Sequence, residues 1–380
     1  MPSGLFMPHS RGLSRSAWPN LPIRFGFMQY WGAALNSSCR QVGVHSFWLI
    51  HFSGCHSMSA GGNMTIQKKL LVLVDGSERS IETVNYIKDV MPVDGNSQIV
   101  LFHVFSGLPE AYRELENDPS CAVALSQLKN QETEQQKRIR DYMERAKKIL
   151  ITGGFPEQSI EIKFHPLEKG VARDIIEEAK NGYSAVVLRR RGAGGLASII
   201  LGSVAVKLLQ SLIFIPILFV GQAPSVKKIL LAVDDSPSSM KAVEFTAALF
   251  GGYGHEVGIL HAIPGLGSIN FALTKVSNKE CSETEISDNC VEVFKLKIAR
   301  MFNNIKKILI TSGIDSEKIS EKIVAGVLSR SEAIVKEAED GGYCTIVVGR
   351  RGLSKVEAFF MGRVGHKVVY GGNKFSVWVV

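Results

Sequence analysis

The chain has 380 residues, room for two or three domains that each bury a core of their own. Its net charge of +8 falls to +4 once the four arginines of residues 1–63 are set aside, leaving 40 basic against 36 acidic residues, too even a balance for a nucleic-acid binder. Six cysteines, at 39, 55, 121, 281, 290 and 344, form no C-x-x-C pair, which argues against a zinc site or a disulfide framework.

Residues 1–63 differ in composition from the rest. They hold Arg11, Arg15, Arg24 and Arg40 but no Lys, Asp or Glu, and three of the four tryptophans. We read them as an extension without a fold of its own, disordered or upstream of the true start at Met64. A transit peptide also fits the missing acids, but Pro2, Pro8, Pro19 and Pro22 break an amphipathic helix. A lipoprotein signal ending at Cys55 is the third reading. It is opposed by polar residues in its apolar stretch and by its distance from the start.

From Met64 onward the chain is written twice. KKLLVLVDGSERS (68–80) returns as KKILLAVDDSPSS (227–239), and KKILITGGF (147–155) as KKILITSGI (306–314), both 159 residues on. RRRGAGGLASIILGS (189–203) aligns with GRRGLSKVEAFFMGR (349–363) at an offset of 160. The period is far beyond the roughly 20–50 residues of a solenoid, so a whole domain is duplicated. The expected domains are 64–221 and 226–380, joined by the turn-rich GQAPSV (221–226).

In chain order, the first copy predicts strands at 70–74, 98–104, 160–164, 185–188 and 216–220, with helices at 78–90, 122–152, 169–181 and 203–212. The second predicts strands at 229–233, 256–262, 320–324, 345–349 and 376–380, with helices at 237–250, 285–312, 330–340 and 363–369. Strands apolar on both faces and alternating with helices imply a doubly wound α/β fold on a parallel sheet. The long helix has a charged outer face, as in QETEQQKRIRDYMERAKKIL (131–150), and segments 106–121 and 264–284 read as surface loops. The apolar stretch 196–220 is interrupted by Lys207, Gln210 and Pro216 and reads as loop, helix and buried strand, so no membrane span is expected. Cys344 lies in a strand pattern and reads as a small buried residue.

Ligands of such sheets sit at the carboxyl ends of the strands, where the strand order reverses. Asp75 and Asp234 end the first strand of each copy, where a carboxylate can hold a sugar hydroxyl or a hydrated Mg²⁺. Ser77 and Ser236 read as helix caps. Beyond strand four come spaced glycines: Gly192, nine residues, then Gly202 and Ser203 in copy one; Gly349, Gly352, nine residues, then Gly362 and Arg363 in copy two. Such glycines let main-chain amides face an anion, and the helix start that follows favours phosphate. Arg189, Arg190, Arg191, Arg350 and Arg351 flank these loops, either favouring an anionic ligand or as ordinary surface charge. His103 and His261, near the end of strand two, read as hydrogen-bonded strand residues rather than catalytic bases.

The pattern D-x-S after strand one, with G-x-x-G-(nine)-G-[S/T] later, resembles the universal stress protein family over residues 64–380, as a tandem member. The resemblance implies a Rossmann-like five-stranded domain of order 3-2-1-4-5 that binds ATP or AMP, with or without Mg²⁺. It implies Asp75 or Asp234 on the ribose and metal side and main-chain contacts from Val104 or Ala262 to adenine. Gly192, Gly202 and Ser203, or Gly349, Gly352 and Gly362, would wrap the phosphates. Copy one departs from it with Arg189 at the first glycine, and copy two with Arg363 at the Ser/Thr. The latter either donates to phosphate or fills the site.

The Walker loop, a G-x-G-x-x-G after strand one and a nucleophile elbow are all missing from the sequence. The expected function is therefore a cytoplasmic, stress-response, nucleotide-binding regulator without rapid catalysis. The alternatives are an interaction module with decayed sites and a slow ATPase. The final strands 216–220 and 376–380 are expected at sheet edges, where the resemblance implies pairing of the two halves as a pseudo-dimer, with a homodimer as a further level.

Overall fold

Apolar runs bounded by turns become the strands of a computed structural model, which describes residues 68–107, 112, 119–190, 201–265, 286–351, 361–372 and 374–380. The expectations for residues 1–63 lie outside the described residues, as do most of the loops expected at 106–121 and 264–284. The first copy runs β1 (Lys68–Leu73), α1 (Ile81–Val90), β2 (Ser97–Phe105), α2 (Ala122–Thr152), β3 (Ile160–Pro166), α3 (Val171–Ala179), β4 (Ala185–Arg189), α4 (Ser203–Ser211) and β5 (Ile217–Val220). The second runs β6 (Lys228–Ala232), α5 (Pro237–Phe250), β7 (Glu256–Pro264), α6 (Ile286–Thr311), β8 (Ile319–Val327), α7 (Arg330–Asp340), β9 (Thr345–Val348), α8 (Arg363–Gly371) and β10 (Ser376–Val379).

All ten strands share one sheet, in the order β3-β2-β1-β4-β5-β10-β9-β6-β7-β8. Pairing within each copy is parallel, and each copy has the expected order 3-2-1-4-5. The copies meet where β5 and β10 run antiparallel, with Ile217, Leu218 and Phe219 opposite Val379, Trp378 and Val377. An apolar edge strand left open would template aggregation, and here each covers the other.

Helices cover both faces, which is why β4, β5, β9 and β10 are apolar on both sides. One layer holds α1, α2, α5 and α6, with a core including Val84, Ile87, Met143, Val243 and Phe302. The other holds α3, α4, α7 and α8, with Ile175, Leu208, Ile334 and Val368. α2 buries Ile139, Tyr142, Met143, Ala146 and Leu150, a stripe at helical spacing beneath its charged face. No helix among the described residues is long and apolar enough to cross a membrane, and 217–220 is the buried strand β5. Cys344 is buried as expected, its thiol 2.7 Å from the Val226 carbonyl.

Each apolar layer continues across the seam between the copies. Trp378 of β10 is fully buried opposite Leu218 of β5. Tyr86 of α1 reaches the Thr345 hydroxyl of β9 at 2.8 Å. Lys68 pairs with Asp94 at 3.0 Å and stands over the Tyr253 ring, and the Tyr253 hydroxyl donates to Asp94. Beside this cluster His255 is 1% exposed, with Nε2 donating to the Val90 carbonyl at the end of α1 (2.8 Å) and Nδ1 without a partner.

Burial holds the His255 pKa down at about 4. The Val90 bond works the other way, and Lys227, Lys318 and Lys68 add repulsion. The folded state therefore refuses a proton that the unfolded chain accepts near pH 6.5. Stability carried by neutral His255 is complete above that pH and is lost as the pH falls towards 4, by up to roughly 3 kcal/mol. Denaturant midpoints measured from pH 7.5 to 4 should fall in that window, and a His255→Leu variant should show a flatter profile. An equal slope in both proteins would remove His255 as the cause.

Candidate functional site

The strand order reverses between β1 and β4, and again between β6 and β9, so each copy opens a crevice at its carboxyl edge. Asp75 and Asp234 follow the last residues of β1 and β6 closely and stand at these two crevices.

In the second copy the turn after β6 is a closed circuit. The Ser236 amide donates to Asp234 Oδ1 (3.1 Å), the Ser239 amide to Ser236 Oγ (3.1 Å), and the Asp234 amide to Ser239 Oγ (3.0 Å). Ser236 is thus the expected cap, and Pro237 supplies the first residue of α5 with φ already set. In the first copy the cap expectation for Ser77 is corrected. Its hydroxyl makes no bond to the helix and instead donates to Asp75 Oδ1 at 2.6 Å, beside its own amide at 2.9 Å. The chain there passes through a 3-10 turn (Glu78–Ser80), and α1 starts only at Ile81. Burial alone would raise the Asp75 carboxyl pKa, but the Ser77 and Ser80 donors outweigh it and hold the value below normal.

The two strand histidines have equivalent work. The main-chain ladder from β1 to β2 reaches as far as the Val74 amide on the Phe102 carbonyl, and His103 Nδ1 then takes the Val74 carbonyl at 2.8 Å. In the second copy the Val233 amide meets Leu260, and His261 Nδ1 takes the Val233 carbonyl at 2.8 Å. Strand groups alternate sides every second residue, so Val104 and Ala262 aim their amide and carbonyl past these last rungs into the crevice.

The ends of β4 and β9 differ. A Cβ on Gly349 would lie 2.7 Å from the Ser238 carbonyl carbon, so only glycine lets β9 approach the start of α5 this closely. At the matching place Arg189 extends to α1, with Nη1 2.5 Å from Glu82 Oε2 and its side chain 10% exposed. Further on, Gly202 and Gly362 are the N-caps of α4 and α8, and Ser203 and Arg363 are their exposed first residues. The Gly362 amide donates to the Arg350 carbonyl at 2.7 Å, pinning the base of the second loop. Gly192, Gly352 and Arg191 lie outside the described residues.

The expectation that Arg190 and Arg350 serve an anion is corrected. Both are buried and reach across the seam. Arg350 Nη1 donates to the Leu209 carbonyl (2.7 Å) and Nη2 to that of Leu212 (2.8 Å), at the end of α4. Arg190 Nη1 donates to the Val369 carbonyl, near the end of α8. The carbonyls at a helix end carry partial negative charge, which replaces a carboxylate partner. Burial pushes both guanidinium pKa values down to about 10, for Arg350 with added repulsion from Arg351. Arg351 is exposed, as ordinary surface charge. One signal for this role was present in the sequence: Arg190 and Arg350 recur 160 residues apart, just beyond the fourth strand of each copy.

The family described as the universal stress protein family matches residues 67–219 and 225–380. No curated protein matches the chain by sequence. Among solved structures, a universal stress protein from Archaeoglobus fulgidus is 19% identical, covering 82% of this chain and 98% of its own, with a TM-score of 0.53. The hypothetical protein MJ0577 is 30% identical over 40% of this chain and 94% of its own, with a TM-score of 0.31. A universal stress protein in complex with cAMP is 19% identical over 40% and 94%, with a TM-score of 0.28.

Because Arg350 satisfies two buried carbonyls, Arg350→Ala should cost about 2–3 kcal/mol. Arg351→Ala, on the surface, should stay within about 0.5 kcal/mol. Urea unfolding of the two variants side by side measures the difference. Equal costs would return Arg350 to the surface charges.

Proposed function

This chain belongs to the universal stress protein family, and from that premise we propose that it is a stress-response regulator that binds an adenine nucleotide, ATP or AMP, without rapid turnover. The reading includes two domains, 64–221 and 226–380, acting as a pseudo-dimer about the β5–β10 seam, and a cytoplasmic location. The free cysteines Cys121 and Cys344 agree with a reducing compartment.

The observation that carries the reading is the convergence at each crevice of a carboxylate, a strand end with its ladder closed off, and a glycine-capped helix start. The assignment follows the chemistry of each group. Val104 and Ala262 offer a main-chain donor and acceptor, which suits the edge of an adenine ring. His103 and His261 support this by taking the carbonyls of the preceding rung. Asp75 and Asp234 accept ribose hydroxyls. Gly202 with Ser203, and Gly349 and Gly362 with Arg363, face phosphate at the positive ends of α4 and α8. Gly192 and Gly352 complete the assignment by sequence position.

A Mg²⁺ ion fits as a passenger on the phosphates. Among the described residues no group of three or more His, Cys, Asp or Glu side chains could hold it alone. The histidines nearest the strand tips, His103 and His261, have their Nδ1 atoms engaged on main-chain carbonyls and serve to end the ladder there.

A ligand that binds only the folded chain stabilises it by about 2.7 kcal/mol at one hundred times its dissociation constant. Millimolar ATP with Mg²⁺, or AMP, should raise the melting temperature by several degrees, and GTP should raise it less. Asp234→Ala should shrink the ATP shift. An unchanged melting temperature with either adenine nucleotide, in protein purified free of nucleotide, would end this reading.

A further inference from the structure

We infer that Arg189 closes the first crevice to nucleotide, so that each chain holds one nucleotide, in its second half. The inference rests on the nucleotide-binding reading above and narrows it.

Three differences between the copies point the same way. The first is at the end of strand four. In the second half Gly349 brings the strand against the backbone of Ser238, and the circuit of Asp234, Ser236 and Ser239 forms beside it. Any side chain at this position must push the first helical turn away. In the first half Arg189 occupies that space, and the following turn has the tighter 3-10 form, with α1 starting three residues late relative to α5.

The second difference is charge. The Arg189 guanidinium forms an ion pair with Glu82 in the first turn of α1, which offsets its charge, while its Nε is buried without a hydrogen-bond partner. Glu82 also places a carboxylate near where a polyanion would approach. The matching residue of the second half, 159 positions on, is Lys241. At the start of α8 Arg363 is exposed, where α4 has Ser203. The second half thus favours an anion at both helix starts, and the first half at neither to the same degree.

The third difference is order at the loop base. The Gly362 amide is bonded to the Arg350 carbonyl, and Ser236 Oγ donates to the Arg351 carbonyl at 3.3 Å. Among the described residues no corresponding main-chain bond joins Gly202 to Arg190. Amides held in place before the ligand arrives cost less to organise on binding.

The test is native mass spectrometry of the full chain with excess ATP and Mg²⁺, together with photolabelling by 8-azido-ATP and peptide mapping. The expected result is one nucleotide per chain, with label confined to 226–380. Arg189→Gly should take up a second nucleotide and add label in 64–221. Two nucleotides on the unmodified chain, or label in its first half, would overturn the inference while leaving nucleotide binding intact. So would an Arg189→Gly protein, folded by circular dichroism, that still binds one. No nucleotide on any protein would remove the parent reading and this one together. The labelling arm uses the unmodified chain, so it decides the location even if the variant fails to fold.

Discussion

The antiparallel pairing of β5 with β10 is the constraint on which the rest depends. Each copy ends in a strand buried on both faces, and alone such a strand would leave a row of main-chain groups and an apolar edge in water. Joining the two edges turns two five-stranded sheets into one of ten. It also places the last helix of each copy beside the fourth strand of the other. That proximity is what allows Arg350 to reach the end of α4 and Arg190 the end of α8. The arginines are buried charges without carboxylates, tolerable only because a helix end of the other copy supplies the negative pole.

The same arrangement sets the site. Each crevice needs strand one to stop while strand two continues, and something must end the ladder cleanly. The imidazole of His103 or His261 does so by bonding the carbonyl that the next rung would take. A polar side chain in an apolar strand is thereby satisfied, and the strand end beyond it faces the crevice.

Much of this was legible in the sequence because it depends on local periodicity and on repetition. Two-sided apolar strands and helical stripes gave the doubly wound parallel sheet and the hydrogen-bonded strand histidines, while the strand order came from the family resemblance that the doubled D-x-S and glycine spacings carry. What could not be read depends on contacts across the seam. Only its recurrence as Arg350, 160 positions on, sets the middle arginine of the run R-R-R apart, and recurrence alone does not reveal that it is buried against a distant helix end. Ser77 and Ser236 look alike in sequence, yet only one caps a helix. The deciding residue, 189 or 349, lies more than a hundred positions away and acts by its size. His255 has no counterpart in the first copy, so repetition could not draw attention to it.

Duplication within one chain separates two kinds of constraint. At positions 190 and 350 both copies carry Arg, because each guanidinium answers to carbonyls in the other copy, and losing either leaves buried groups unpaired. One position earlier the copies differ, Arg189 against Gly349, because that residue answers only to its own crevice. The Arg189 substitution keeps the sheet intact: the residue still pairs with Val220 in β5, and its charge is met by Glu82. The fold therefore tolerates a filled crevice in one copy while the other keeps the close backbone approach. A seam that binds both copies into one body makes the scaffold a shared property, and leaves each crevice free to differ.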